Sequence, residues 1–78
     1  MKKNEQLNRL AIVLAELGLS NKDLAALIKK DPSTVSRWCT NETQPSLKIL
    51  FVIAEKLNHP VRELLVPNKL APASSARK

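Results

Sequence analysis

The chain has 78 residues but only one glycine, one cysteine, one histidine, no tyrosine and two aromatic rings in all, Trp38 and Phe51. Each shortage excludes something. A single glycine cannot build a glycine-rich loop that cradles phosphates. A single cysteine, Cys39, cannot close an internal disulfide, so nothing points to an oxidising compartment. A lone histidine, His59, set between Asn58 and Pro60, is poor material for a metal centre and reads as a loop or capping residue. No nucleophile has an obvious partner base and no ligand cluster is present, so neither enzymatic activity nor a cofactor or metal is expected. With so few aromatics, Leu, Ile, Val and Ala carry the apolar content, which suits a small helical bundle better than a sheet.

Long hydrophobic runs are missing too. No stretch approaches the ~20 apolar residues of a membrane span. The start, Met1-Lys2-Lys3 ahead of "LAIVLAELGL", has the outline of a signal peptide. However, Glu5 and Arg9 lengthen its charged region, Glu16 interrupts the apolar one, and the polar Ser20-Asn21-Lys22-Asp23 follows where small residues would be cleaved. The expected location is the cytoplasm.

What is present is a globular composition, 44% hydrophobic, in a length that makes one domain near the lower limit for an unassisted core. The net charge is +6, which invites a nucleic-acid partner. Its distribution weakens that inference. Lys2, Lys3, Arg77 and Lys78 sit at the ends, and removing these four from the thirteen basic residues leaves nine against seven acidic ones, a balance of +2.

Periodicity and capping signals divide the chain into helices. Leu7, Leu10, Ala11, Leu14 and Leu17 recur at helical spacing as a core-facing stripe, closed by Gly18 as a left-handed cap. Ser20 and Asp23 form a capping box, with Leu19 and Leu24 placed as a hydrophobic staple and Leu24, Ala25, Leu27 and Ile28 as the apolar face. Asp31 is a second N-cap, and Pro32 occupies the first helical position, where a missing N–H costs nothing. Val35, Trp38 and Cys39 then make a narrow apolar face. After a loop with Asn41 and Pro45, Ser46 caps a fourth helix reaching Leu57, in which Leu47, Ile49, Leu50, Phe51, Val52, Ile53, Ala54 and Leu57 leave little polar surface. It is expected at the centre of the bundle. "VRELLV" reads as a short fifth helix before Pro67, and the remainder, residues 67–78, lacks periodicity and reads as a mobile tail. The domain is assigned to residues 1–66.

Only Lys29 and Lys30 separate the second helix from Asp31, and two short helices joined so tightly must cross steeply. The second of the pair can then stand clear of the body and enter a major groove, which is wide enough to admit a helix. Arg37 can bond guanine bidentately, and Ser33 and Thr34 are small donors and acceptors near the helix start. Asn21 and Lys22, at the start of the second helix, would direct amides and charge at a phosphate.

The stretch "GLSNKDLAALIKKDPSTVSRWCTNETQPSLKILFVIAEKLNHPVRELL", residues 18–65, resembles the helix-turn-helix domain of the phage repressor and Cro-type (XRE) family. Ala25 is small where the two helices would touch; Leu24, Ile28, Val35 and Trp38 fill the apolar slots of the motif; "QPSLKIL" with "IAEKL" is similar to the family's fourth helix and "VRELL" to its fifth. The resemblance implies an all-α, five-helix, lambda-repressor-like bundle whose second and third helices form the motif. It further implies sequence-specific binding of double-stranded DNA as a transcriptional regulator, a repressor, with residues 32–39 as the recognition helix.

Six positions depart from the family pattern. Lys29 stands where glycine is usual, and a lysine held left-handed costs on the order of 1 kcal/mol against glycine, so a slightly rearranged turn is expected; Lys30 follows where an apolar residue is usual. Asn21 replaces a glutamine used on DNA, and Asn41 replaces a loop glycine, as the next best left-handed residue. Leu14 and Cys39 stand together where many relatives bury an Arg–Glu pair; losing both charges at once avoids an unpaired one.

Base contacts are assigned to Pro32, Ser33, Thr34, Ser36 and Arg37, and backbone contacts to Asn21, Lys22, Lys30, Thr40, Asn41, Thr43 and Gln44. The blander readings stand beside these: Arg37 as a solvated charge, Ser33 and Thr34 as first-turn residues, the lysines as solubilising groups. Trp38 and Cys39 read as core. A domain this small is expected to bind as a homodimer on a two-fold site. Ile49, Val52, Val61 and Leu65 are candidates for the dimer face, or else complete the core. The rival class is a protein-interaction module of the same fold, including the antitoxin of a toxin pair with a protein partner.

Overall fold

The computed structural model describes residues 5–68. It contains four α-helices, α1 (Leu10–Leu17), α2 (Asn21–Ile28), α3 (Pro32–Cys39) and α4 (Leu47–Leu57), followed by a 3₁₀ turn at Val61–Leu64. Most of the tail assigned to residues 67–78, together with Lys2 and Lys3, lies outside the described residues. Among the described residues, no helix is long and apolar enough to cross a membrane.

Local chemistry sets each boundary. Gly18 ends α1 at φ 72°, and the Leu19 N–H closes back on the Leu14 carbonyl at 2.9 Å. At the start of α2 the capping box is complete: Asp23 N–H donates to Ser20 Oγ at 3.1 Å, and Ser20 N–H donates to Asp23 Oδ2 at 2.8 Å. Those bonds, the backbone one first, hold the Asp23 carboxyl below its ordinary value. Asp31 caps α3 by accepting from Ser33 N–H at 2.8 Å, and its pKa is lowered for the same reason. Ser46 caps α4 by accepting from Ile49 N–H at 3.1 Å, and Asn58 ends that helix left-handed at φ 58°.

The turn between α2 and α3 is formed by its two lysines. Lys29 takes the left-handed conformation itself, φ 58° and ψ 50°, and Lys30 N–H bonds the Ala25 carbonyl at 2.9 Å. The tight closing bond compensates part of the strain a side chain meets there.

The core gathers one face of each element: Leu10, Val13 and Leu14 from α1, Leu24 and Ala25 from α2, Val35 and Trp38 from α3, Leu50, Ile53, Ala54 and Leu57 from α4, and Leu64. α2 and α3 pack most closely on each other, while α4 lies against α2 and the 3₁₀ turn. Leu19, Ile28 and Cys39 pack partly buried on its edge.

Three expectations are corrected. The first stripe shifts, because the helix begins only at Leu10: Leu7 lies outside it, Ala11 and Leu17 are exposed, and Val13 is buried instead. Leu27 likewise faces solvent from α2. α4 is not surrounded, because a bundle this small covers one side only; Leu47 is 68% exposed and Phe51 55%. The fifth helix is a single 3₁₀ turn, because the residues after it are drawn out to pair with the start of the chain. Arg9 N–H bonds the Leu64 carbonyl at 2.8 Å, Val66 N–H bonds the Leu7 carbonyl at 2.9 Å, and Asn8 and Leu65 form an antiparallel bridge. A continuing helix would have used those groups internally.

Candidate nucleic-acid interface

α3 is amphipathic across a sharp divide. Val35 and Trp38 anchor its inner side, and Pro32, Ser33 and Arg37 are exposed on the outer side, with Thr34 and Ser36 half-buried at the margins. Ser33 and Arg37, four residues apart, share one strip of helix opposite Val35. The Ser33 hydroxyl donates to Asp31 Oδ1 at 2.8 Å, which fixes its orientation and leaves its oxygen free to accept.

Lys22 is exposed in the first turn of α2 and Asn21 is half-buried beside it; Lys29 and Lys30 are exposed in the turn. On the far side of α3, one carbonyl organises the loop. The Arg37 oxygen accepts from Thr40 Oγ1 at 3.2 Å, Glu42 N–H at 2.9 Å and Thr43 N–H at 3.3 Å. Thr40 and Thr43 are thereby held at the surface beside the helix end.

Two of the residues assigned to the DNA backbone have their side chains engaged within the protein. Asn41 is 4% exposed and left-handed at φ 64°. Its Oδ1 accepts from Leu7 N–H at 2.8 Å, Asn8 N–H at 2.9 Å and Gln44 Nε2 at 3.1 Å; its Nδ2 donates to the Asn8 carbonyl at 3.2 Å and Gln6 Oε1 at 3.3 Å. Gln44 accepts from Asn8 Nδ2 at 2.8 Å. The sequence reading passes over Asn8 altogether. It is 3% exposed, and its Nδ2 also donates to the Trp38 carbonyl at 2.8 Å, at the last turn of α3. Asn8 Oδ1 accepts from Leu10 N–H at 3.0 Å, so the same side chain satisfies the first amide of α1. An Asn two residues before a leucine-rich helix is the only local sign of this.

The residues considered for a dimer face are not drawn together. Val52 and Val61 line one shallow groove with Phe51; Leu65 lines another with Arg9 and Arg62; Ile49 packs against the core. Cys39 is half-buried, and burial raises its thiol pKa. His59 Nδ1 lies 3.0 Å from the Leu57 carbonyl, as a residue of the helix-ending turn.

The exposed polar face of one helix carried on a tightly joined partner is an arrangement by which proteins read a groove. Comparison with known proteins agrees. A solved structure described as that of "a putative DNA-binding protein from Bacteroides fragilis" is 47% identical to this chain, covers 77% of it and 97% of its own length, and superposes with a TM-score of 0.75. Among curated proteins, none matches. A helix-turn-helix family model matches residues 10–64. The chain therefore belongs to the XRE-type helix-turn-helix family of DNA-binding proteins.

Proposed function

We propose that the protein is a sequence-specific regulator of transcription, a repressor, that inserts α3 into the major groove of double-stranded DNA. The observation that carries this reading is the outer strip of α3: Ser33 and Arg37 project from a helix whose opposite side is locked by Val35 and Trp38. A rigid base holds a reading side chain in one geometry, which base discrimination requires. Arg37 reads a guanine edge, and Ser33 and Thr34 read neighbouring bases, with Pro32 and Ser36 against the groove wall. Lys22, Lys30, Asn21, Thr40 and Thr43 hold the phosphates and set register. Asn41 and Gln44 act from behind, as braces for the loop that presents Thr40 and Thr43. Residues 1–66 form the binding unit, and two copies occupy a two-fold site.

Binding by phosphate contacts has a specific signature in salt. The logarithm of the binding constant should fall linearly with the logarithm of salt concentration, by roughly 0.9 per phosphate neutralised. Lys30→Ala should flatten that slope by about one per bound copy without altering sequence preference. A flat salt response, with co-purification of a second protein at fixed stoichiometry, would favour the interaction-module or antitoxin reading instead.

A further inference from the structure

The side of α4 turned away from the core carries a pattern that the DNA contacts leave unused. Lys48, Phe51, Val52 and Glu55 follow at spacings of three, four and seven, so they form one strip along the helix. Leu50, Ile53, Ala54 and Leu57 occupy the opposite side and are buried. Lys48, Phe51 and Glu55 are exposed and Val52 is half-buried, and all four line a shallow groove together with Val61. Phe51, 55% exposed, stands at the middle of this strip with a cation one turn before it and an anion one turn after, an order of charge and apolar surface that is complementary to its own reverse.

We infer that this strip is the self-association face, and that its occupant is the same strip of a second copy, lying antiparallel about a two-fold axis between Phe51 and Val52. The charges select that occupant. In a two-fold contact, residue i of one copy meets j of the other and j meets i. Antiparallel α4 helices centred between positions 51 and 52 place Phe51 on the partner's Val52. The same register sets Lys48 against the partner's Glu55 and Glu55 against the partner's Lys48. Each pair therefore occurs twice, with opposite signs at both ends and apolar contact at the centre. A parallel arrangement would instead oppose like charges. The inference deepens the two-copy binding proposed above and rests on it only for its role, since the contact itself needs no DNA.

The test is sedimentation equilibrium of the full 78-residue chain without DNA. The parent should dimerise. Phe51→Glu should raise the dimer dissociation constant at least about thirtyfold, as expected for loss of a central aromatic anchor. Glu55→Lys and Lys48→Glu should each raise it about tenfold, because each creates two like-charge contacts. The double reversal Lys48→Glu/Glu55→Lys should restore it to within about threefold of the parent. All three substituted residues are at the surface, and circular dichroism melting verifies the fold. A monomeric parent, a dimer indifferent to Phe51→Glu, or a double reversal no better than either single one would overturn the inference. Association only with a different protein would do the same. Binding of the Phe51→Glu chain to a single half-site duplex, read separately, distinguishes failure of this contact from failure of DNA binding.

Discussion

Asn41, two residues past the end of α3, accepts hydrogen bonds through one side-chain oxygen from the backbone N–H groups of both Leu7 and Asn8, at 2.8 and 2.9 Å. The start of the chain is thereby tied to the end of α3 across more than thirty residues of sequence. Asn8 returns the tie by donating to the Trp38 carbonyl. Leu7, Asn8 and Arg9 are themselves joined to Leu64, Leu65 and Val66, so both ends of the domain converge on the loop that follows α3.

Asn41 should therefore be separable into a backbone part and a side-chain part. Asn41→Gly keeps the left-handed conformation but orphans the buried Asn8 N–H and the partly buried Leu7 N–H, and should destabilise the fold by about 2–3 kcal/mol. Asn41→Ala should be worse by about a further 1 kcal/mol, because alanine also resists positive φ. Urea unfolding of both variants measures the difference. Equal losses would show that the backbone conformation contributes nothing.

Lys29 carries the opposite imbalance, left-handed strain with, among the described residues, no side-chain hydrogen bond to offset it. Lys29→Gly should stabilise the domain by about 1 kcal/mol, seen as a higher thermal midpoint. Its salt dependence on DNA should change little, unlike that of Lys30→Ala. A lower midpoint for Lys29→Gly would contradict the geometry of the turn.

Acid should weaken the two N-caps. Asp23 and Asp31 have pKa values lowered below 3.8 by hydrogen bonds from Ser20 and Ser33 respectively. A depressed folded value means the stabilisation is fully present above the unfolded value near 3.8 and is lost as pH falls through the folded one. Asparagine caps a helix as well as aspartate but does not titrate in this range. Asp31→Asn should thus leave stability near neutrality almost unchanged and reduce the acid-side slope. Denaturant midpoints collected across that range measure it, and an unaltered slope would exclude Asp31 as its source.

Much of this architecture is written locally. Ser20 with Asp23, Asp31 with Pro32, and Ser46 each declare a helix start within four residues, and the helix-turn-helix resemblance rests on the same short signals. The outer face of α3 follows from them, since Val35 and Trp38 leave Ser33 and Arg37 no other side. Asn8 is invisible to such reading because its partners are 30 and 36 residues away. Leu47 and Phe51 look like core for a related reason: hydrophobic content on a helix says how much surface could be buried, while the number of neighbouring elements decides how much is. "VRELLV" has the composition of a helix, yet its last residues pair with Leu7 and Asn8, a tertiary choice that overrides local preference.

The reading of DNA by α3 is tested most directly by selecting bound sequences from random duplex DNA at physiological salt, with the parent chain and with Arg37→Ala. The parent should recover a two-fold site with a guanine fixed in each half. Arg37→Ala should still bind but lose preference at that one base pair, by about 1–3 kcal/mol, with the rest of the site retained. If the two proteins recover the same sequences with the same preferences, or the parent recovers none, Arg37 on α3 is not the reader.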